Sequence, residues 1–536
     1  MSDQTQTSSE QTAGAPAIDV PVVVLSHRAP VQFRREKGKR LIRRGAGGLV
    51  TALVGLAGQL EDAVWVCAAT TDEDSAVAAE HEGGAVPLVM TAEPRPADGD
   101  EPDDAPVLDV RLVDVPPQEH EDFYQVFSNP LLWFIQHGLY GHATTPVIGR
   151  REREAYEQGY VPVNEAFAEA VAEEVRARGG RALVLLHDYH FYLVADRVRQ
   201  ACPEVVLSHF IHIPWPGPDA WVVLPQDIRE QIFHGLLGND VVAFHTERFA
   251  RNFLLCVQEL LGLPIDLQQK TVSYQGRTVA ARTYPISIDV GALEEMAASE
   301  DVAERREELE RDLLPDGEQL LLRVDRTDPS KNIVRGFLAF ELLLEQHPEL
   351  VGRLRFLAFL QPSRLDVPEY ADYLGRIGAV VARVNAKYAR TGYAPIDLRL
   401  QEDFATAVAA YTLCDAVLVN SIADGMNLVA KEMVVVNTRD AVLCLSESTG
   451  AHAELGHFAV TLNPFDIQQQ ADALHEALTM APDQRRQRLE AAAGVVRAND
   501  IGKWLDAQIA DLRDLTGLWA GPARGDELQP EEGAVG

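Results

Sequence analysis

The sequence predicts an α/β protein of two domains, each a doubly wound parallel sheet with helices on both faces. Three observations lead there. The 536 residues exceed one typical domain. Short apolar runs alternate with helical patterns along most of the chain. That rhythm weakens around "RTYPISIDVGAL", where Pro285 and small residues mark a crossover between two such units.

The elements follow in order. "VPVVVLS" reads as a strand and "GGLVTALVGLAGQL" as a helix opened by glycines. "ALVLLHDYH" is a strand with polar residues at its end, followed by the helix "FYLVADRVRQ" and the strand "VVLSHFIHIPWP". Beyond the crossover, "QLLLRVDR", "LRFLAFLQPS" and "AVLVNS" are strands, each followed by a helical segment. This divides the chain into a first domain at 19–287 and a second at 288–490. Residues 1–18 and 520–536 are polar or acidic and rich in Gly and Pro, so disordered tails are expected, with an acidic surface loop at "AEPRPADGDEPDDAP". No internal repeat is visible.

Composition narrows the function. Asp and Glu number 81 against 48 Lys and Arg, a formal net charge of −33. Such a surface repels nucleic acid and anionic lipid, so neither is an expected partner. A small anionic substrate stays open, because a site needs only a few local arginines. The five cysteines (Cys67, Cys202, Cys256, Cys414, Cys444) are scattered without a CxxC pair and read as reduced core residues of a cytoplasmic protein. The N-terminus lacks the basic start and apolar core of a signal peptide, and no apolar run is long enough to span a membrane. Self-association as a homo-oligomer is left open.

In open α/β sheets ligands bind beyond the carboxyl ends of strands. There the chain places Arg28, Asp188, His212, Arg326, Arg364 and Asp424. The stretch "LVNSIADGMNLVAKE" ends a strand, turns, and opens a helix, whose free N–H groups and positive dipole end attract anions. Gly425 lets the backbone approach a ligand closely, the amides of Asn427, Leu428 and Val429 offer a cradle for a diphosphate, and Glu432 offers a carboxylate to two ribose hydroxyls. An ordinary strand–turn–helix corner with Asp424 as N-cap fits the same residues. In "RVDRTDPSKN", Arg326 and Lys331 flank a Pro-containing turn, where two cations neutralise a leaving diphosphate. A solvated basic turn is the alternative. Both cations are expected to act on the ligand rather than on the fold.

"HDYH" invites a metal reading, but His187 and His190 lack a third ligand at a metal-site spacing, so Asp188 is expected to bind substrate hydroxyls instead and no metal is expected. In "HIPWP", Pro214 and Pro216 stiffen a loop that holds His212; a structural histidine fits as well. Arg28 in "LSHRAP", with Gly47 and Gly48 opening a helix, forms a second anion-friendly corner. "YQVFSNPLLW" supplies the hydroxyl of Tyr124 and an aromatic wall at Trp133 suited to a sugar, or else an amphipathic helix with a buried tryptophan.

Together "FSNPLLW", "HDYH", "HIPWP", "VDRTDPSKN", "DGMNLVAKE" and "NDIGKW" resemble the trehalose-6-phosphate synthase family in order and spacing, over about residues 20 to 515. The resemblance implies the GT-B fold, two Rossmann-like domains facing a central cleft, with a C-terminal helix at 491–519 packing back on the N-terminal domain. It implies a retaining glycosyltransferase that moves glucose from a nucleoside-diphosphate glucose to glucose 6-phosphate, with no cofactor, metal or protein nucleophile. Arg326 and Lys331 would hold the donor diphosphate with the amides after Gly425. Gly48 would join the donor side and Glu432 would hold the ribose. Asp424, Gly425, Met426 and His212 would line the transferred glucose. Arg28, Tyr124, Trp133, Asp188 and Arg364 would bind the acceptor, with Arg28 and Arg364 at its phosphate.

The chain departs from the family at three places: Ala423 precedes Asp-Gly-Met-Asn where the family has Arg, Ala68 stands near the place of a second acceptor-site tryptophan, and "DPSKN" replaces "DYSKG". The last change, with "HIPWP" and "NPFD", is also similar to pseudo-glycosyltransferases that join a nucleotide-activated cyclitol to an amino-cyclitol phosphate. A non-catalytic sugar-phosphate sensor on the same fold is a further reading. For the donor base, the loop "QEDF" after "PIDLRL" carries Glu402 and Asp403 where the resemblance docks the base. A carboxylate accepts two N–H groups of guanine well. GDP-glucose is therefore expected over UDP-glucose.

Overall fold

A computed structural model of the chain describes residues 20–44, 62–89, 95–96 and 107–517. Both expected tails, the glycine-opened helix with Gly47 and Gly48, and most of the expected acidic loop lie outside the described residues.

The N-terminal half contributes β1 (Val22–Leu25), β2 (Val31–Glu36), β3 (Lys39–Arg44), β4 (Ala63–Ala68), β5 (Val86–Val89), β6 (Arg95–Pro96), β7 (Val107–Val113), β8 (Leu183–His187), β9 (Val206–Phe210), β10 (Val241–Phe244), β11 (Ile265–Asp266), β12 (Thr271–Tyr274) and β13 (Arg277–Thr283). Ten of them form one sheet in the order β11-β12-β13-β10-β9-β8-β1-β4-β7-β5. Its pairs from β7 to β13 are parallel, and antiparallel strands finish both edges. The chain turns direction between β1 and β8, whose residues pair Val22 with Leu183 and Leu25 with Leu186. The strands are continuous apolar runs because helices cover both faces: Val22, Val23 and Leu25 are fully buried.

The C-terminal half repeats the plan with β14 (Gln319–Arg326), β15 (Leu354–Gln361), β16 (Ile396–Leu400), β17 (Ala416–Val419), β18 (Val442–Ser446) and β19 (Val460–Leu462). Their order is β16-β15-β14-β17-β18-β19, all parallel, so the second switch point lies between β14 and β17. Ligand crevices open at such switch points. The two here are the first-domain strand ends carrying Arg28 and Asp188 and the second-domain strand ends carrying Arg326 and Asp424.

Two segments cross between the halves. The first follows β13 and is pinned at its middle: the buried ammonium of Lys431 donates to the Ile286 carbonyl at 2.9 Å and pairs with Glu454 at 2.7 Å. The second precedes the helix Ile501–Thr516, whose Ile501 N–H donates to the Ile288 carbonyl at 3.0 Å. That helix returns to the first domain. Its Asp511 accepts from Arg282 at 2.9 Å and from the Tyr284 hydroxyl at 2.6 Å, and Trp504 meets the Phe210 ring edge-on at 5.3 Å.

Among the described residues, two segments depart from regular α-helix as π-helical turns, the short Tyr156–Tyr160 and a longer one. Residues Asp122–Leu132 form a π-helical stretch with Pro130 inside it. Proline removes a backbone donor and crowds the preceding turn, so the ordinary helical ladder cannot continue there. The stretch carries Tyr124 and delivers Trp133 into the interior.

Candidate active site

The second-domain corner is a charge network. Strand β14 ends at Arg326, and the chain then turns through buried Asp328, whose carboxylate caps the short 3₁₀ turn Pro329–Lys331 by accepting from the Ser330 N–H at 2.9 Å. Asn332 takes a left-handed conformation (φ 59°) and anchors the turn by donating to the Asn420 carbonyl at 2.9 Å. This leaves the Lys331 ammonium 2.5 Å from Asp424 and 4.0 Å from Asp325. Burial works against the ammonium charge, but Asp424 and Asp325 outweigh it and hold the Lys331 pKa above its ordinary value. Burial pushes the Asp325 carboxyl up to about 6. Arg326 forms no ion pair among the described residues and lies 5.5 Å from the centre of the Trp133 ring.

The turn after β17 differs from its expected form in two ways. Asp424 does not cap the helix Leu428–Val436. Asn427 does, at φ 83°, accepting from the Ala430 N–H at 3.1 Å. Asp424 is instead taken up by Lys331, by the Ser421 hydroxyl at 3.2 Å and by the Asn427 amide at 3.1 Å. Gly425 is required by the fold itself. A Cβ there would sit 1.8 Å from the His212 carbonyl oxygen of the other domain. Gly450 makes the same allowance for Gly425, whose carbonyl oxygen would lie 1.9 Å from a Cβ at 450. Met426 is buried, while Leu428 and Val429 are partly buried at the helix start. Glu432 lies one turn in and accepts from the Tyr411 hydroxyl at 2.9 Å; burial pushes its carboxyl up to about 7.

The first-domain corner is built from rings. His27 precedes Arg28 at the end of β1 and stacks on Tyr124 and His190, each at 4.8 Å, and on His120 at 5.5 Å. Burial and the neighbouring His120, Arg28 and Arg364 hold His27 well below the usual imidazole range. Arg28 itself is exposed at the rim. At the end of β8, Asp188 adopts φ 72°, one carboxylate oxygen is buried without a hydrogen-bond partner, and burial pushes its pKa up to about 6. An unpartnered buried acceptor in a cleft is a place for a ligand hydroxyl. His187 and His190 each also keep a buried ring nitrogen without a partner.

Arg364 ties the corners together. Its backbone is left-handed (φ 51°), and its guanidinium reaches Asp328 at 3.3 Å, the Tyr370 hydroxyl at 2.6 Å and the Tyr189 hydroxyl of the first domain at 3.0 Å. It also lies 4.2 Å from the centre of the Trp133 ring. Trp133 is therefore not the open aromatic wall expected. It is 5% exposed, stacked on His137 at 4.1 Å and covered by Arg364.

The donor-base loop also departs from expectation. Asp403 is occupied as the N-cap of the helix Phe404–Leu413, accepting from the Thr406 N–H at 3.1 Å and pairing with Arg305 at 2.6 Å. Glu402 is exposed beside it. The glycines expected beside Arg28, Gly47 and Gly48, lie outside the described residues.

Sequence reasoning missed several members of the site. Asp325 and Asp328 stand inside the quoted "RVDRTDPSKN" and were legible as buried acids between cations. His27 adjoins Arg28. His120, Tyr370 and Tyr411 carry no local signal, because only the tertiary fold brings them in. Among the described residues, one trio of side chains groups as metal ligands do, His347, Glu349 and His475, and it lies on other elements. Its imidazoles stack nearly parallel at 3.7 Å, so their lone pairs run side by side rather than converging.

A model of "Glycosyltransferase family 20" matches residues 21–514. Among curated proteins, the chain is 32% identical over 486 residues to "Alpha,alpha-trehalose-phosphate synthase [UDP-forming] A" of Dictyostelium discoideum, covering 90% of this chain and 61% of that protein. The chain thus spans less than two thirds of that relative. It is 31% identical to "Alpha,alpha-trehalose-phosphate synthase [UDP-forming] 2" of Aspergillus niger, covering 92% of this chain and 97% of that one. A solved E. coli structure described as trehalose-6-phosphate bound with UDP-2-fluoro glucose is 26% identical, with a TM-score of 0.76 over 92% of this chain and 99% of that chain. The fold is accordingly GT-B, and the two facing switch points with their cation-rich strand ends are those of a member of glycosyltransferase family 20.

Proposed function

We propose that the protein transfers glucose from UDP-glucose to glucose 6-phosphate with retention, forming α,α-trehalose 6-phosphate. The observation that carries this reading is the pairing of two strand-end corners across one cleft, one with Arg326 and Lys331 beside a helix N-terminus, the other with Arg28 and a buried Asp188 carboxylate oxygen that has no partner.

In this reading Arg326 and Lys331, with the backbone N–H groups opening the helix Leu428–Val436, hold the donor diphosphate. As the glycosidic bond breaks, negative charge grows on the leaving phosphate, and fixed cations stabilise it more than they stabilise the bound donor. Glu432 accepts from the ribose hydroxyls. Asp424, Met426 and His212 line the transferred glucose. Asp188 and Tyr124 hold acceptor hydroxyls, and Arg28 and Arg364 face the acceptor phosphate. The leaving phosphate takes the acceptor proton while the new bond forms on the same face, so no protein nucleophile is used. The cations supply the charge a metal would otherwise supply, and activity is expected to persist in a chelator.

The preference for GDP-glucose expected from Glu402 and Asp403 finds no support. Asp403 is committed to its helix and to Arg305, and the relatives' names are UDP-forming. Uracil, with a single N–H between two carbonyls, needs no carboxylate pair.

The test is product identity. The protein is incubated with UDP-glucose and glucose 6-phosphate, and the product is identified by mass and by the anomeric proton couplings. A non-reducing disaccharide phosphate with both linkages α supports the reading. A pseudo-disaccharide formed only from a cyclitol donor would support the cyclitol-transferring alternative, and nucleotide-sugar binding without turnover would support a sensor.

A further inference from the structure

His187, in the motif "HDYH", has no role in the reading above, yet it contacts a residue that does. Its Nδ1 lies 3.1 Å from Nε2 of His212, and the two rings stack at 5.3 Å. His212 adjoins the donor turn directly, since its carbonyl oxygen occupies the space a Cβ at Gly425 would need. The His212 ring is held in plane by Phe210 at 4.5 Å, His245 at 5.3 Å and Trp504 at 6.4 Å.

Both imidazoles are neutral. Burial lowers His187 to about 3, and burial with His187, His245 and His209 lowers His212 well below the usual range. A contact between two neutral imidazole nitrogens is one N–H donating to one lone pair. The direction follows from the far side of His187, whose Nε2 is buried without a partner. If His187 accepted through Nδ1, its proton would sit on Nε2 as an orphaned buried donor. If it donates through Nδ1–H, the orphan is a bare lone pair. Buried orphan N–H groups are the rarer and costlier of the two. His187 therefore donates and His212 Nε2 accepts, which leaves the His212 proton on Nδ1. That nitrogen makes no hydrogen bond among the described residues, and the ring is half-buried at the cleft.

We propose that His187 is a positioning residue, which by donating from Nδ1 to His212 Nε2 fixes His212 as the tautomer that presents an Nδ1–H donor to an oxygen of the transferred sugar. The proposal rests on the glucosyl-transfer reading for the identity of that sugar, though the tautomer itself does not depend on it. The direction of the bond matters because a tautomer change would turn a donor facing a sugar oxygen into an acceptor.

Two readouts test it. In the full-length protein labelled with ¹⁵N-histidine, two-bond ¹⁵N–¹H correlations are recorded for wild type, and His212 is assigned from the spectrum of His212→Gln. The expected result is a His212 proton on Nδ1; a proton on Nε2 overturns the proposal, whether or not any His187 variant folds. In kinetics, His187→Phe removes the donor, while His187→Asn keeps an N–H near the place of Nδ1. His187→Phe is expected to lower kcat/KM for UDP-glucose about tenfold, with His187→Asn restored to within about threefold of wild type. Wild-type kinetics in a folded His187→Phe overturns the proposal, as does an equal loss in both variants. If wild type turns over no nucleotide sugar, the proposed function fails, and the spectrum still decides the tautomer.

Discussion

The two strand-end corners of the cleft use different physics. The second-domain corner is an ion-pair lattice of Lys331, Asp424, Asp325, Arg323 and Asp328 in which every charge but that of Arg326 has a close opposite. The first-domain corner is a stack of neutral rings, His27, His120, Tyr124 and His190, with Arg28 at its rim and one unpaired carboxylate oxygen at Asp188. A leaving group that gains charge needs cations fixed in advance. A sugar phosphate that only has to be held needs a few directional acceptors and a rim charge. In the lattice, removing a charge unbalances its partners, so the donor corner couples function to stability. In the ring corner the two are separable.

The largest expected effect is at the seam between the corners. Gly425→Ala puts a Cβ against the His212 carbonyl oxygen, 1.8 Å away by geometry. Neither backbone has room to give, so a loss of more than about 3 kcal/mol of stability and of all turnover is expected, read by thermal melting and nucleotide release. A stable, active Gly425→Ala would mean the corners do not meet there.

Next comes a contrast within the donor corner. Sequence alone treated Arg326 and Lys331 as equivalent ligand-directed cations. The structure separates them. Lys331→Ala leaves buried Asp424 and Asp325 facing each other, with an expected loss of about 3–5 kcal/mol of stability as well as turnover. Arg326→Ala breaks no ion pair and is expected to cost at least about tenfold in kcat with stability changed by less than about 1 kcal/mol. Chemical denaturation of the two variants side by side checks this, and equal destabilisation would erase the distinction.

The pH dependence is a smaller effect. Glu432 has its carboxyl raised to about 7 by burial. Above that pH the carboxylate that the proposed function assigns to the ribose hydroxyls prevails; below it the carboxyl does. The donor KM is therefore expected to rise as pH falls through about 7 in wild type and to stay flat in Glu432→Gln. The stability effect of this group has the opposite sign. A carboxyl raised in the folded state favours folding as pH falls from about 7 toward its unfolded value. The smallest effect is in the base loop: Asp403→Asn is expected to cost about 1 kcal/mol or less through the weakened cap and ion pair, and Glu402→Gln to leave the kinetic constants for both UDP- and GDP-glucose within about twofold.

The donor corner was more legible in the sequence than the acceptor corner, for a physical reason. Its residues come from two contiguous stretches, "RVDRTDPSKN" and "DGMNLVAKE", each at a strand end, so local pattern and strand-end position pointed to one site. The β-α-β rhythm likewise foretold two sheets with parallel cores. What local pattern could not show was which residues of the other domain fill a given space. Gly425 makes room for His212, and Trp133 is covered by Arg364, both contacts across the domain seam. Asp403, next to Glu402 in sequence, faces Arg305 in space. The stretch around Pro130 reads in sequence as an amphipathic helix, and nothing local marks the wider π-helical turn that sets Tyr124 and Trp133.

The central claim of the proposed function is a division of labour between the corners: the one at Arg326 and Lys331 takes the nucleotide diphosphate, and the one at Arg28 and Asp188 takes the sugar phosphate, with Arg364 reaching across to it. Arg28 is the cleanest probe, because it is exposed at the rim and forms no ion pair among the described residues. The decisive measurement is calorimetric titration of wild type and Arg28→Ala, first with UDP and then with glucose 6-phosphate in the presence of saturating UDP. The account predicts an unchanged Kd for UDP and a Kd for glucose 6-phosphate weakened at least about tenfold. Loss of UDP affinity with glucose 6-phosphate binding intact would contradict it.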